Sequence, residues 1–142
     1  MQAVTYSTLG EACDVLTLTE MPTPAPAANE VLVRLSVSGV NPSDVKSRRG
    51  RPGVTHPPFD QVIPHSDGAG VIEAVGAGVD PARVGQRVWI WNGQWQRPFG
   101  TAATHIALPQ AQAVPLPDDV SFETAASLGI PGLPAAHAVC NG

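Results

Sequence analysis

The feature that most constrains this chain is its punctuation: 14 glycines and 15 prolines are spread through 142 residues, so that every apolar run is short. Proline removes a backbone donor and glycine loosens whatever element it sits in, so neither belongs inside long helices or central strands. A chain divided this way favours many short strands joined by turns. The hydrophobic fraction of 43% is ordinary for a globular protein, and the length suffices for one domain with its own core.

The strongest strand signal covers residues 30–40. Val31, Val33, Leu35 and Val37 alternate with Leu32, Arg34, Ser36 and Ser38, which places the two sets on opposite faces of a strand. Further strands are expected over 1–5, 15–19, 69–79, 85–91 and 101–108, with an extended connection over 22–28 and a turn over 115–119. Pro42 suits the first turn of a helix capped by Asn41 and ending near Gly50, and the four prolines within 51–64 predict a loop. Ser121 can cap a last helix, with Glu123 facing the positive end of its dipole; residues 129–134 interrupt that helix and 135–139 resume it. Strands, one short helix, more strands and then helix predict a mainly β fold, an irregular β-barrel with short helices, and not a βαβ repeat.

Composition excludes several classes. The net charge is −4 and no basic run exceeds Arg48-Arg49, which argues against a nucleic-acid partner. No stretch approaches the roughly 18 apolar residues a membrane span needs. The N-terminus lacks a signal-peptide pattern, so a cytoplasmic location is expected. Cys13 and Cys140 make no disulfide framework and are expected to be buried or incidental thiols.

Five segments carry candidate chemistry. Gly76-Ala77-Gly78 follows an apolar run but lacks the third glycine and the helix of a dinucleotide fingerprint, so a β-turn is expected. His56, His65, His105 and His137 have no close metal-ligand spacing, and no C-x-x-C occurs. Asn41, at a strand end entering a helix, has an amide that can donate and accept; it is either a site residue or only a cap. Residues 63–70 place Asp67 before three small residues, a pattern of close backbone packing. Trp89 and Trp91 share a strand face, with Trp95 beyond a turn; Trp89 suits the core, and Trp91 and Trp95 suit either core or the floor of a pocket.

Together, PTPAPAANEVLVRL at 22–35, GVNPSD at 39–44, IPHSDGAGVIEAVGAGV at 63–79, VGQRVW at 84–89 and AASLGIPGLPAAHAV at 125–139 resemble the medium-chain dehydrogenase/reductase superfamily. Within it they are most similar to the quinone oxidoreductase, or zeta-crystallin-like, branch. The resemblance implies a GroES-like catalytic domain over 1–125, and over 126–142 the start of a helix leading to a nucleotide-binding Rossmann domain that this chain lacks. It implies an NADPH-dependent reductase of quinones or activated carbonyl and enone compounds, acting on small molecules as a full-length homodimer, with no membrane or nucleic-acid partner. The 142-residue piece is then expected to be inactive alone. Two alternatives stand beside this: a self-sufficient GroES-like binding module, and a zinc-free enoyl-thioester reductase.

The resemblance also bears on individual residues. Zinc-dependent relatives have cysteine where this chain has Asn41 and histidine where it has Ser66, and a cysteine-rich lobe that is absent between Trp91 and Phe99. A neutral amide and a hydroxyl are poor zinc ligands, so no zinc is expected. Asn41, Ile130, Leu133 and Pro134 are implied as cofactor contacts, and Asn41, Lys46, Trp91 and Trp95 as the substrate pocket. Lys46 and Pro52 occupy places where relatives often carry tyrosine. Pro134 replaces a usual threonine and removes a hydroxyl and an N–H.

Overall fold

A computed structural model describes residues 1–140. Seven strands form two sheets. β1 (Gln2–Thr5) and β2 (Thr17–Glu20) pair antiparallel, while β3 (Glu30–Gly39), β4 (Asp67–Val75), β5 (Arg87–Ile90), β6 (His105–Pro109) and β7 (Ala113–Pro115) form an antiparallel sheet in the order β6-β3-β4-β5-β7. Isolated bridges Ala3↔Ala103 and Tyr6↔Val62 join β1 and the residue after it to segments beside the large sheet, and Ile63↔Phe99 joins two of those segments to each other. The fold is thus mainly β with short helices, as expected, but its ladder is open: the barrel wraps without continuous hydrogen bonding. The helices are α1 (Ala12–Val15), α2 (Pro42–Arg49), α3 (Phe122–Ala125) and α4 (Gly132–Cys140).

β3 is the longest strand and lies inside the large sheet between β6 and β4, in keeping with its long apolar alternation. Val31, Val33, Ile72, Val88, Ile90, Ile106 and Leu108 are all buried in one cluster, drawn from β3 and its neighbours on both sides. Each such side chain contributes about 1.5–3 kcal/mol by leaving water. The simple alternation fails at two points. Register shifts against β4 lie between Leu32 and Val33 and between Leu35 and Val37. An extra residue at a bulge turns the following side chains relative to those before it. The first shift leaves Glu73 of β4 without a partner and the second leaves Ser36 of β3, so Leu35 and Val37, on either side of Ser36, pack against different clusters; Leu32 is buried along with Val31 and Val33, so both faces of β3 are covered there.

Other elements differ in extent. The strand expected over 15–19 begins at Thr17, because residues 12–15 make one helical turn with no side-chain cap. The strand expected over 69–79 stops at Val75. There Gly76 passes so close to the connection before β3 that a Cβ would lie 1.8 Å from the Ala27 carbonyl oxygen. Val79 N–H then donates to the Gly76 carbonyl (3.2 Å), which makes the expected β-turn, and a three-residue 3-10 turn follows in place of a phosphate-binding helix. The turn expected over 115–119 overlaps β7, whose short run is held by β5. In the last segment Pro134 does not break the helix: it lies in the first turn of α4, where no intrahelical N–H bond is lost. Cys13 and Cys140 are both exposed and free.

Candidate functional site

α2 opens with Asn41 as N-cap in extended backbone and Pro42 at N1. The Asn41 N–H donates to Asp44 Oδ2 at 2.7 Å, and its side-chain Nδ2 donates to Asp67 Oδ2 at 2.9 Å. Asp67, the first residue of β4, also accepts from the Ile130 N–H at 3.0 and 2.9 Å through its two oxygens. Asn41 therefore bridges two buried carboxylates, Asp44 through its backbone N–H and Asp67 through its side-chain amide, and Asp67 ties down the turn that leads to α4. Gly129 is required here, since a Cβ would lie 2.2 Å from Asp67 Oδ1. Burial pushes the Asp67 carboxyl above its ordinary value, against the opposing pull of the bonds from Ile130 and Asn41. Burial does the same to Asp44; the Asn41 N–H opposes it and the nearby Asp67 charge adds to it.

A second polar chain lies behind Asp67. The Thr101 hydroxyl donates to the Asp67 carbonyl at 2.6 Å. Its only proton is thereby used, so the Ser38 hydroxyl donates to Thr101 Oγ1 at 3.1 Å, and His65 Nδ1–H donates to Ser38 Oγ at 2.9 Å. This fixes the neutral tautomer of His65, and burial lowers its pKa, which favours that neutral form. His65 has φ 77, a left-handed conformation that presents its ring to Ser38 on β3.

Beside this network is a cavity of about 700 Å³. Its wall comes from Tyr6 and Leu9 after β1, from Lys46 on α2, from the proline-rich loop including Phe59, and from Trp95 and Ile130. Trp95 is 65% exposed, so its ring is an apolar face still open to water. Of the residues expected to form the substrate pocket, Lys46 and Trp95 line the cavity. Asn41 stands behind the wall, its amide nitrogen committed to Asp67. Trp91 is not in the wall either; its indole N–H donates to the Ala111 carbonyl at 3.1 Å. Trp89 is half-buried against Ala69, Leu116, Ala125 and Ala126. Of the expected cofactor contacts, Ile130 lines the cavity, whereas Leu133 and Pro134 lie exposed on α4.

Several site residues escaped the reading of the sequence. Tyr6 follows a short strand and gives no signal beyond being the only tyrosine. Phe59 lies in a stretch legible only as loop. Thr101 and Ser38 are small polar residues whose pairing depends on β3 and the segment before β6 meeting in space. The basic pair Arg48-Arg49 is structural: buried Arg48 donates to the Gly10 carbonyl, and Arg49 pairs with Glu11 at 2.9 Å.

No group of three or more His, Cys, Asp or Glu side chains placed to hold a metal occurs among the described residues. At the positions where zinc-dependent relatives supply thiolate and imidazole, the donors are the Asn41 amide, whose nitrogen is already a hydrogen-bond donor, and the Ser66 hydroxyl. This donor set does not fit zinc.

The open antiparallel sheet, with a cavity beside the turn into α4, has the architecture of a GroES-like domain. Residues 27–118 match the alcohol dehydrogenase GroES-like domain, so the chain belongs to that family, within the medium-chain dehydrogenase/reductase superfamily. It is 36% identical over 107 residues to the synaptic vesicle membrane protein VAT-1 homolog of Rattus norvegicus, covering 74% of this chain and 24% of that protein. It is 34% identical over 116 residues to the quinone oxidoreductase of the same organism, covering 82% of this chain and 33% of that protein. Among solved structures, a mycobacterial protein complexed with NADPH superposes with a TM-score of 0.80 at 30% identity, over 98% of this chain and 40% of that one. The chain thus spans a quarter to a third of these curated relatives.

Proposed function

We propose that this chain is the substrate-side part of a zinc-independent, NADPH-dependent oxidoreductase that reduces quinones or activated carbonyl and enone compounds. The observation that carries this reading is the 700 Å³ cavity, walled by an open aromatic face at Trp95, a cation at Lys46 and the junction residue Ile130. Such a pocket, mostly apolar with a few polar groups, suits a flat, electron-poor small molecule. In this reading residues 1–125 shape the substrate site and 126–142 lead towards a nucleotide-binding domain. The full-length protein is a cytoplasmic homodimer, and this piece alone is inactive.

NADPH, when bound, supplies the hydride. The chain's own residues supply position and dryness. Asp67 holds the Ile130 backbone, so the turn at the junction has one geometry against the cavity. Asn41 keeps that carboxylate in place. Ile130, Leu133 and Pro134 would flank the cofactor, and Pro134 offers it neither hydroxyl nor N–H. The donor set at Asn41 and Ser66 supports a reaction without a metal Lewis acid.

The test is loss of reduced nicotinamide absorbance by the full-length gene product with phenanthrenequinone, cyclohexenone and a crotonyl thioester. Turnover of the first two supports the proposal, and inactivity with all three overturns it. A second reading, a zinc-free enoyl-thioester reductase, is favoured by one observation: Lys46 and Arg51 both line the cavity and neither is paired among the described residues. Two free cations suit the phosphate of a thioester carrier. Turnover confined to the thioester would select it.

A further inference from the structure

We propose that the Tyr6 hydroxyl is the hydrogen-bond donor for the carbonyl oxygen of the molecule that occupies the cavity, an assignment that rests on the carbonyl-reductase reading above. Tyr6 lines the cavity yet is only 3% exposed. Its backbone is fixed on both sides: its N–H donates to the Val62 carbonyl at 2.9 Å, and its carbonyl accepts from the Val62 N–H at 2.9 Å. The ring therefore does not wander.

The hydroxyl is the anomaly. A buried tyrosine ordinarily gives its proton to a protein acceptor. No described residue accepts from the Tyr6 hydroxyl. Yet no side-chain nitrogen or oxygen that is cut off from solvent lacks a partner. It follows that the little surface Tyr6 retains includes its oxygen. Because Tyr6 is part of the cavity wall, that oxygen opens into the cavity.

The surroundings keep this donor neutral. Burial raises the phenol pKa, the Asp44 charge raises it further, and Arg48 on the same helix opposes the rise. Lys46, Arg51 and His56 are the other charged or titratable groups of the wall; both cations are exposed and solvated. A fixed, neutral phenol loses less freedom on donating than a solvated lysine does. When a hydride adds to the substrate, negative charge grows on the oxygen. A donor already in place stabilises that oxygen more than it stabilises the starting carbonyl.

Because Tyr6 is the sole tyrosine, its phenolate absorbance can be followed without interference from another phenol. The test titrates this absorbance in the 142-residue chain with and without cyclohexenone, and measures cyclohexenone affinity for wild type and Tyr6→Phe. The expected results are a phenol titration displaced to higher pH by the enone and an affinity about three- to tenfold weaker in Tyr6→Phe. The wild-type titration needs no variant to fold. If wild type binds the enone but Tyr6→Phe binds equally well, or the phenol titration does not move at saturation, Tyr6 is not the donor and the cavity reading survives. If wild type binds no enone at millimolar concentration, the carbonyl reading of the cavity falls, and the role of Tyr6 falls with it.

Discussion

Asn41 stands between two carboxylates, with its backbone N–H on Asp44 and its side-chain amide the only side-chain donor to Asp67 among the described residues. Asn41→Ala should cost about 1–3 kcal/mol in denaturant unfolding, because it leaves Asp67 short of a donor in a buried place. Asn41→Asp should be worse at neutral pH and recover in acid, since three carboxylates would then crowd one site. Asp44 gives a pH prediction with a definite sign. Its folded pKa lies above the ordinary 3.8, so its contribution to stability is full below that value and is lost as pH rises through the folded one. The stability of wild type minus that of Asp44→Asn should therefore decrease with rising pH across this window; a flat difference would refute the shift. His65 acts in the opposite sense, losing stability as pH falls below 6.5, but it is common to both proteins and cancels. From the sequence, Asn41 reads equally as a cap or a site residue. It has both capping position and a tertiary bond, and only the partner 26 residues away shows the second.

β3 was legible because its signal is local: alternating β-branched residues over one long run. Its bulges were not, because a register shift is a property of the pair β3 and β4. Leu108 of β6 is fully buried in the same cluster, and Leu108→Ala should destabilise by about 2–5 kcal/mol, read from thermal or denaturant melts. α1 was missed since four residues without a side-chain cap carry almost no helical signal. α4 is the contrasting element. It is helical through Pro134 yet buries none of its described residues. Its amides should exchange with solvent orders of magnitude faster than those of β3 in this chain, and protection of α4 equal to that of β3 would contradict its exposure.

At the scale of the molecule, the cavity is a junction of five separate segments. Lys46 and Trp95 are expected in a pocket and Ile130 beside a cofactor, while Tyr6 and Phe59 carry no such expectation. Lys46 follows the 39–44 motif, Trp95 closes an aromatic run and Ile130 lies within the 125–139 motif, whereas Tyr6 and Phe59 are brought in by the Tyr6–Val62 bridge and the proline-rich loop. Protein purified without chelator should contain far less than stoichiometric zinc; stoichiometric zinc bound through His65 or Asp67 would overturn the proposed metal independence. The sequence by itself determined the class: proline and glycine spacing kept the strands short and alternation marked the longest one, both of which are local properties. Tertiary structure alone decided that Asn41 serves Asp67, that Trp91 turns to a carbonyl instead of a pocket, and that Tyr6 joins the cavity wall. Those outcomes depend on distances between residues far apart in the chain, and no local pattern encodes them.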